Sequence, residues 1–441
     1  MEDRISFQQI NKLAIPAIFS GIADSVITLT DIAMVGNLKE NSVEALAAVG
    51  LVGSFLSGII WVVAQTKTSI SSLVSQSFGA QQLIKVKHLV PQALFFNILL
   101  SLSILIPTYL WAEQLFQLYN ASGKILQYSA EYYRIRAFGF PLTLISFTIF
   151  GTFRGIQNTL WAMKCGVVAA IVNVILDYVL IFGVGEIIPA LHIQGAAYAS
   201  LISQGVMVIM AFYYYFTKTH FRLYPGKKLH PYFGKYISLS FNFILRTASL
   251  NVAFFMANAF ATDYGKDYIA AQSILMNIWL FFSFFIDGYS GAGNAMAGKL
   301  IGEKNYLKLW KLSKDISKYS IIVALLLIGI CIVFYKPIGQ VFNKDPRVLA
   351  IFTSVFWMVL LMQPINTLAY IFDGLFKGMG QAKLLRNNLM MATFLGFLPC
   401  LYLCDYFNFK IYGIWIAFGM WMLIRSFPLM YIFRKKMLSQ N

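Results

Sequence analysis

The chain has 441 residues, of which 59% are hydrophobic and only 12% are charged. A soluble globular protein is about half apolar and about a quarter charged, so this composition excludes a soluble enzyme and predicts a polytopic membrane protein. Since one bilayer crossing takes roughly 20 apolar residues, the chain has room for about a dozen spans. The net charge of +17 would suggest a nucleic-acid partner in a soluble domain, but here it first indicates loop charge that orients a membrane protein.

Twelve apolar segments follow one another along the chain, at residues 13-36, 46-77, 89-112, 128-153, 160-183, 193-217, 236-262, 268-296, 317-335, 348-376, 385-404 and 411-433. An even number of spans places both termini on one side of the membrane. Sorting the basic residues by loop puts 23 on the side of the termini and 7 on the other. The positive-inside rule then predicts cytoplasmic termini, in an all-α, multi-pass protein of the plasma (inner) membrane.

The two halves of the chain resemble each other. VSQSFGAQQLIKV, around Gly79, resembles AGKLIGEKNYLKL, around Gly302, and the two glycines lie 223 positions apart. The same offset relates Pro141 to Pro364 and FGTFRGIQ to FDGLFKGMG. Six evenly spaced spans keep their orientation when repeated, so the sequence predicts two parallel six-helix repeats around a central cavity. The predicted parts are an N-terminal lobe (1-216), a basic cytoplasmic linker (217-235) and a C-terminal lobe (236-441).

A duplicated bundle of this kind predicts a transporter that works by rocking alternating access. The sequence contains no Gly-rich phosphate loop, which excludes direct use of ATP and leaves an ion gradient or downhill movement. The histidines and cysteines lack metal-ligand spacing, and Cys400 and Cys404 are interpreted as packing residues. We therefore expect no enzyme activity, no cofactor and no nucleic-acid partner, but a monomer that binds a small organic substrate and membrane lipids.

Acidic residues inside spans are costly, and those that occur are candidates for coupling to an ion. Asp24 and Asp31 are two turns apart on one face of the first span, and Asn173 and Asp177 share a face of the fifth. Burial disfavours the charged form of a carboxylate, and a second carboxylate nearby disfavours it further. Such a site can hold or release a proton, or could hold Na⁺ with the help of the Asn173 oxygen. The five acids inside spans are Asp24, Asp31, Asp177, Asp287 and Asp373.

The repeat provides a control for this interpretation. The equivalents of Asn173 and Asp177 in the second half are Gly396 and Cys400, and the equivalent of the first-span acid is Phe260. Acids that only helped packing would be expected in both lobes. Their asymmetry favours a single ion site in the N-terminal lobe.

The remaining intramembrane charges are interpreted as structural. Asp287 is predicted to neutralise Arg246 in a buried pair, and Asp373 to pair with Lys377 one turn later. Three further basic residues are expected to be partners of the acids or snorkelling head groups: Lys67, Arg134 and Arg136.

Several motifs then stand in order along the chain: Pro16 with Asp31 in TDIAMVG, YYRIRAFGFP, FRGIQNT, NVILDYVLIFGVG, GAAYASLISQ and IDGYSGAGNAMAGKLIG. As an ordered set over essentially the whole chain, they resemble the multidrug and toxic compound extrusion (MATE) family. Within that family they are most similar to the branch of DNA-damage-inducible protein F (DinF). The resemblance implies a cation-coupled drug exporter with two six-helix lobes.

The resemblance also implies roles for individual residues. The family's intramembrane aspartates match Asp31 and Asp177, and a helix-bending proline matches Pro16. Asp24 stands where the family often has an amide, which adds a potential charge and leaves the ion and its stoichiometry open. The other family positions match Asn173, Tyr132 and Ser200, the last in place of a threonine.

The predicted function is therefore antiport of H⁺, or alternatively Na⁺, against lipophilic and often cationic compounds. Asp31, Asp177, Asn173, Ser200 and Tyr132 are the predicted ion-coupling residues. Four further residues are predicted to line the cavity or to have accessory roles: Asp24, Pro16, Asp287 and Arg246. The alternative is a flippase of lipid-linked oligosaccharides or lipid precursors, which would need several Arg or Lys side chains lining one cavity.

Overall fold

The computed structural model describes residues 5–38, 41–185 and 187–438, without the side chains of residues 24–26 and 28. Within these ranges the regular structure is helical, apart from one isolated bridge between Val184 and Ile188. This confirms the all-α prediction.

The helices of the first half follow the predicted apolar segments closely. They are Phe7–Val35, Ser42–Val63, Gln65–Gly79, the 3₁₀ turn Leu83–Val86, Leu89–Leu110, Ala112–Gln117, Gly123–Ala137, Gly139–Gly155, Leu160–Phe182 and His192–Lys218. Those of the second half are Phe233–Asp263, Lys266–Gly302, Tyr306–Val333, Tyr335–Phe342, Pro346–Gly378, Ala382–Met391, the π-helical turn Ala392–Phe397, Leu398–Tyr406 and Lys410–Leu438.

Among the described residues, twelve helical runs are long enough to cross a bilayer, in agreement with the twelve predicted segments. Ten described runs combine the necessary length with an apolar composition, including Ser42–Gly79 as the second span and Ala382–Tyr406 as the eleventh. The fourth span is a pair, Gly123–Ala137 and Gly139–Gly155, bent by 41°. The first helix, Phe7–Val35, has 29 residues. At about 1.5 Å per residue it exceeds the roughly 30 Å of a hydrocarbon core. We number these spans in chain order.

Three spans are interrupted where the sequence predicts continuous segments. The second breaks at Ala64, the fourth breaks at Phe138, and the eleventh contains the π-helical turn Ala392–Phe397. Apolar composition predicts that a segment is buried in the membrane, but it carries no information on where packing interrupts the backbone hydrogen bonds.

The chain forms two compact units. The N-terminal unit consists of Phe19–Val74 and Gln82–Ile237. The C-terminal unit contains the described residues of Met1–Ile18, Ser75–Gln81 and Ser238–Asn441. The first span therefore contributes residues to both units, and the division falls just after Pro16.

The internal repeat is visible in how the helices pack within each unit. Gly151 on the fourth span lies so close to the second span that an added Cβ would overlap the carbonyl of Lys67. In the C-terminal unit, Gly374 on the tenth span lies equally close to Ser290 on the eighth. Both members of the second pair lie 223 positions after those of the first. One turn later the contact recurs, at Gly155 with Ser71 and at Gly378 with Asn294.

The start of the fourth span packs into the core of the N-terminal unit. Tyr132 and Tyr133 are almost completely buried, and Tyr133 packs edge-on against Phe55 and Phe116. Because this packing fixes the start of the fourth span, the neighbouring Tyr132 ring is held in one position facing the interior of the unit.

Candidate functional site

Asp31 is the centre of a buried polar cluster in the N-terminal unit. Its side chain is only 3% exposed and accepts hydrogen bonds from three other spans. Ser200 Oγ donates to Oδ2 over 2.7 Å, Tyr132 Oη donates to Oδ2 over 3.3 Å, and Asn173 Nδ2 lies 3.4 Å from Oδ1. The charged form of Asp31 is therefore surrounded by donors.

Asp177 completes the cluster but has a different environment. It lies one turn after Asn173 on the fifth span and is fully buried. Among the described residues, neither of its carboxylate oxygens has a hydrogen-bond donor. Its carboxyl group is close enough to that of Asp31 for the two to share a hydrogen bond when one carries a proton. We call Asp31 and Asp177 the carboxylate pair.

The local sequence explains why the fifth span can bring these groups together. Its buried face carries small residues one and two turns before Asn173, among them Gly166, Ala169 and Ala170. An added Cβ at Gly166 would meet Ala23 and Ser20 of the first span at ordinary contact distance. Small residues let two helices approach closely, so the longer polar side chains further along the same face reach Asp31.

The cluster has the chemistry of a site for a small cation. Two adjacent buried carboxylates are unfavourable when both are charged, and one proton relieves that repulsion. The two Asp177 oxygens and Asn173 Oδ1 have lone pairs without a donor among the described residues, and oxygen atoms of this kind also bind hard metal cations. Thus the five residues predicted as the ion-coupling site lie together in one place.

Arg136, which was expected to be a partner of the intramembrane acids or a snorkelling head group, also lies near this site. It is one turn after Tyr132 on the fourth span and interacts electrostatically with both Tyr132 and Asp177. Its Nε and Nη1 atoms are buried and have no hydrogen-bond partner among the described residues. Arg134 instead forms a surface ion pair with Glu113 over 2.9 Å. The four-residue spacing places Arg136 on the same face of the fourth span as Tyr132.

The predicted pairing of Arg246 with Asp287 is wrong. Arg246 Nη2 bonds to Asp373 Oδ1 over 2.6 Å, while Asp287 is exposed. The sequence does not specify how each helix is rotated about its axis, and the structure turns Asp373, not Asp287, toward the seventh span. The local pair of Asp373 with Lys377 is confirmed, at 2.7 Å.

Two further predicted accessory positions lie on the first span. Pro16 is buried within the continuous helix Phe7–Val35. The side chain of Asp24 lies outside the part of the chain that the structure describes.

Among the residues that the structure describes, the equivalent positions of the C-terminal unit form no polar cluster of this type. Gly396 lies in the π-helical turn, and Cys400 is half-buried beside it. Phe260 packs edge-on against Tyr402, with ring centroids 5.1 Å apart. At the positions that match Asp31, Asn173 and Asp177, this unit therefore carries an aromatic ring, a glycine and a thiol.

Comparison with known proteins identifies two matching stretches. The MatE family model matches residues 16–179 and 243–406, one stretch in each half of the chain.

Protein DETOXIFICATION 43 of Arabidopsis thaliana is 29% identical over 305 residues, which is 69% of this chain but only 56% of that protein. DNA damage-inducible protein F of Escherichia coli (strain K12) is 24% identical over 438 residues, covering 96% of this chain and 91% of that protein.

A solved structure described as "Outward-facing conformation of a multidrug resistance MATE family transporter of the MOP superfamily" has the same fold. Its TM-score is 0.87 at 21% identity, over 98% of this chain and 96% of that one.

Proposed function

Because the chain belongs to the MatE family of membrane transporters, we propose that it is an antiporter that exchanges H⁺ for lipophilic, often cationic compounds. The compounds leave the cell across the plasma membrane by alternating access, and both chain termini are cytoplasmic. The observation that carries this proposal is the carboxylate pair, in which one acid has three donors and its neighbour has none.

We place the proton on Asp177 because the two acids have unequal environments. Donors stabilise a charged carboxylate, so Asp31 is the charged member, and the proton resides on Asp177, which can donate it to Asp31. Release of that proton leaves two adjacent negative charges in a medium of low dielectric. A lipophilic cation bound nearby would offset them. Proton and substrate therefore favour opposite states, which is the requirement for antiport.

The same contacts link protonation to helix movement. Ser200, Asn173 and Tyr132 all hydrogen-bond to Asp31, so a proton arriving from outside must rearrange them. Asp31 lies on the same helix as Pro16, which lacks an amide hydrogen and weakens the helix one turn before it. We infer that the first span bends at Pro16 when the pair is protonated, which releases the substrate outward.

Two alternatives are less well supported. Na⁺ would need several free oxygen ligands. Asp177 and Asn173 offer three oxygens without a donor among the described residues, but the oxygens of Asp31 already accept bonds from three donors. A flippase would need clustered basic residues for a pyrophosphate. Of the candidates, Arg134 forms an ion pair with Glu113 and Arg246 forms one with Asp373, so each of these two arginines already has an acidic partner.

Transport measurements test the proposal. Proteoliposomes with a fluorescent cationic dye would be challenged separately with a pH gradient and a Na⁺ gradient. We expect dye movement with the pH gradient only, and loss of that movement in Asp31→Asn and Asp177→Asn. Glu303→Gln is the matched control, since Glu303 forms only a surface pair with Lys299 over 3.7 Å.

Three results would overturn the proposal. Dye movement driven by the Na⁺ gradient alone would replace the proton with Na⁺. Dye movement indifferent to both gradients would refute coupling. Movement of a labelled lipid-linked oligosaccharide in the same vesicles, without dye transport, would support the flippase instead.

A further inference from the structure

The C-terminal unit contains a buried group of charged residues that the proton cycle does not use. Arg246 on the seventh span and Arg425 on the twelfth are 5% and 3% exposed, and Asp373 on the tenth is 5% exposed. Lys377 lies one turn after Asp373, with its side chain 14% exposed. We call these four residues the basic cluster.

Both carboxylate oxygens of Asp373, the single acid of the basic cluster, already bond to cations. Asp373 Oδ1 bonds to Arg246 Nη2 over 2.6 Å, and Oδ2 bonds to Lys377 Nζ over 2.7 Å. Each carboxylate oxygen therefore contacts one cation, but the single negative charge balances only one of the two positive charges. Three buried cations surround one acid, so the cluster carries an excess of positive charge.

Arg425 carries part of that excess. Its guanidinium lies 4.5 Å from the ring centroid of Trp421 and 5.4 Å from that of Tyr370. It also contacts Met422 Sδ over 3.6 Å. Among the described residues, no carboxylate lies within ion-pair distance of it. Aromatic faces and a thioether attract a cation but do not neutralise it.

A second unsatisfied group belongs to Arg246, which interacts electrostatically with Arg425. Arg246 Nε is buried and has no hydrogen-bond partner among the described residues. An unpaired charge inside a membrane protein is costly and marks a functional site more often than a packing role. The planar donor fork of arginine fits a carboxylate or a phosphate group.

One other acid is near the basic cluster. Asp287 is exposed on the eighth span and interacts electrostatically with Lys377 and Tyr370. Even when Asp287 is counted, cations exceed acids by three to two. The exposure of Asp287 also indicates that the cluster lies close to an accessible face of the unit.

We propose that the basic cluster is a binding site for an anionic oxygen group, either the carboxylate of an organic anion or the phosphate of a lipid head group. Arg425 provides the principal donor fork, and Arg246, which interacts electrostatically with it, adds its Nε donor. The site is separate from the carboxylate pair, so the protein has an acidic site in its N-terminal unit and a basic site in its C-terminal unit. Binding at the cluster does not depend on the proposed proton coupling.

Binding measurements in purified protein test this site. In delipidated protein in an uncharged detergent, benzoate would be titrated by calorimetry and by thermal melting. In a second arm, the melting temperature would be compared between nanodiscs of phosphatidylcholine and nanodiscs containing phosphatidylglycerol. We expect wild type to be stabilised in one arm or both, and Arg425→Gln to weaken the effect by about tenfold or more. Stabilisation by benzoate identifies an organic anion, and stabilisation by phosphatidylglycerol alone identifies a lipid head group.

Two further variants keep the test decisive. Arg434→Gln removes an exposed arginine from the same helix and should leave binding unchanged. If Arg425→Gln fails to fold, Arg425→Lys keeps the charge without the fork and should bind at least several-fold more weakly. Absence of stabilisation by either probe, or equal stabilisation of wild type and the Arg425 variants, would overturn the site. Loss of proton coupling with retained benzoate binding would refute only the proposed function.

Discussion

Removal of the Ser200 hydroxyl should change the pH at which the carboxylate pair releases its proton. Ser200 Oγ makes the shortest hydrogen bond to Asp31, at 2.7 Å, whereas Tyr132 and Asn173 are 3.3 and 3.4 Å away. A hydrogen bond to a charged group contributes about 1.5–3 kcal/mol. Since about 1.4 kcal/mol corresponds to one pH unit, Ser200→Ala should shift proton release by at most about one to two units.

The shift should be toward higher pH, because the charged form of Asp31 loses the Ser200 donor. In Ser200→Ala the charged form of Asp31 loses its shortest donor, so the proton of the pair can move from Asp177 to Asp31. The one-proton state then loses less stability than the state with two charges, and the pair releases its proton only at higher pH. The assay is the pH dependence of dye binding to purified protein, whose midpoint should rise. Ser200→Thr should restore the wild-type midpoint. Ser203→Ala is the control, because Ser203 donates only to the Ser200 carbonyl, over 2.9 Å. An unchanged or lowered midpoint in Ser200→Ala would refute this account of the site.

Two other substitutions give distinct results. Gly374→Ala would place a methyl group against the Ser290 carbonyl and should destabilise the protein by about 1–3 kcal/mol. The measurement is the melting temperature in detergent. Gly329→Ala is the control, because no atom lies within 4 Å of its added Cβ. Equal melting temperatures of the two variants would contradict the close helix contact. Arg136→Gln removes a positive charge near the carboxylate pair and should raise the pH midpoint of dye binding, whereas a lower midpoint would show that Arg136 does not stabilise the charged form.

The sequence predicted the helices and the polar cluster because both depend on spacing along the chain. Twelve apolar segments correspond to twelve spans, and Asn173 and Asp177 share a face because they are four residues apart on one helix. The resemblance to a known family added Tyr132 and Ser200, which no periodicity connects to Asp31.

What the sequence could not supply is the rotation of one helix against another. That rotation decides that Arg246 meets Asp373 and not Asp287, whereas the Asp373 pair with Lys377 is local and was predicted. Arg425 illustrates the same limit. Its position inside a span was evident, but its lack of an acidic partner depends on which faces of the tenth and twelfth spans meet.

The central claim is that the carboxylate pair exchanges a proton for substrate. The most direct test is to count the protons that purified protein releases into weakly buffered solution when a cationic dye binds near neutral pH. The account predicts release of about one proton per dye bound by wild type and none by Asp177→Asn, independently of Na⁺. Dye binding without proton release in wild type, or with undiminished release in Asp177→Asn, would contradict it.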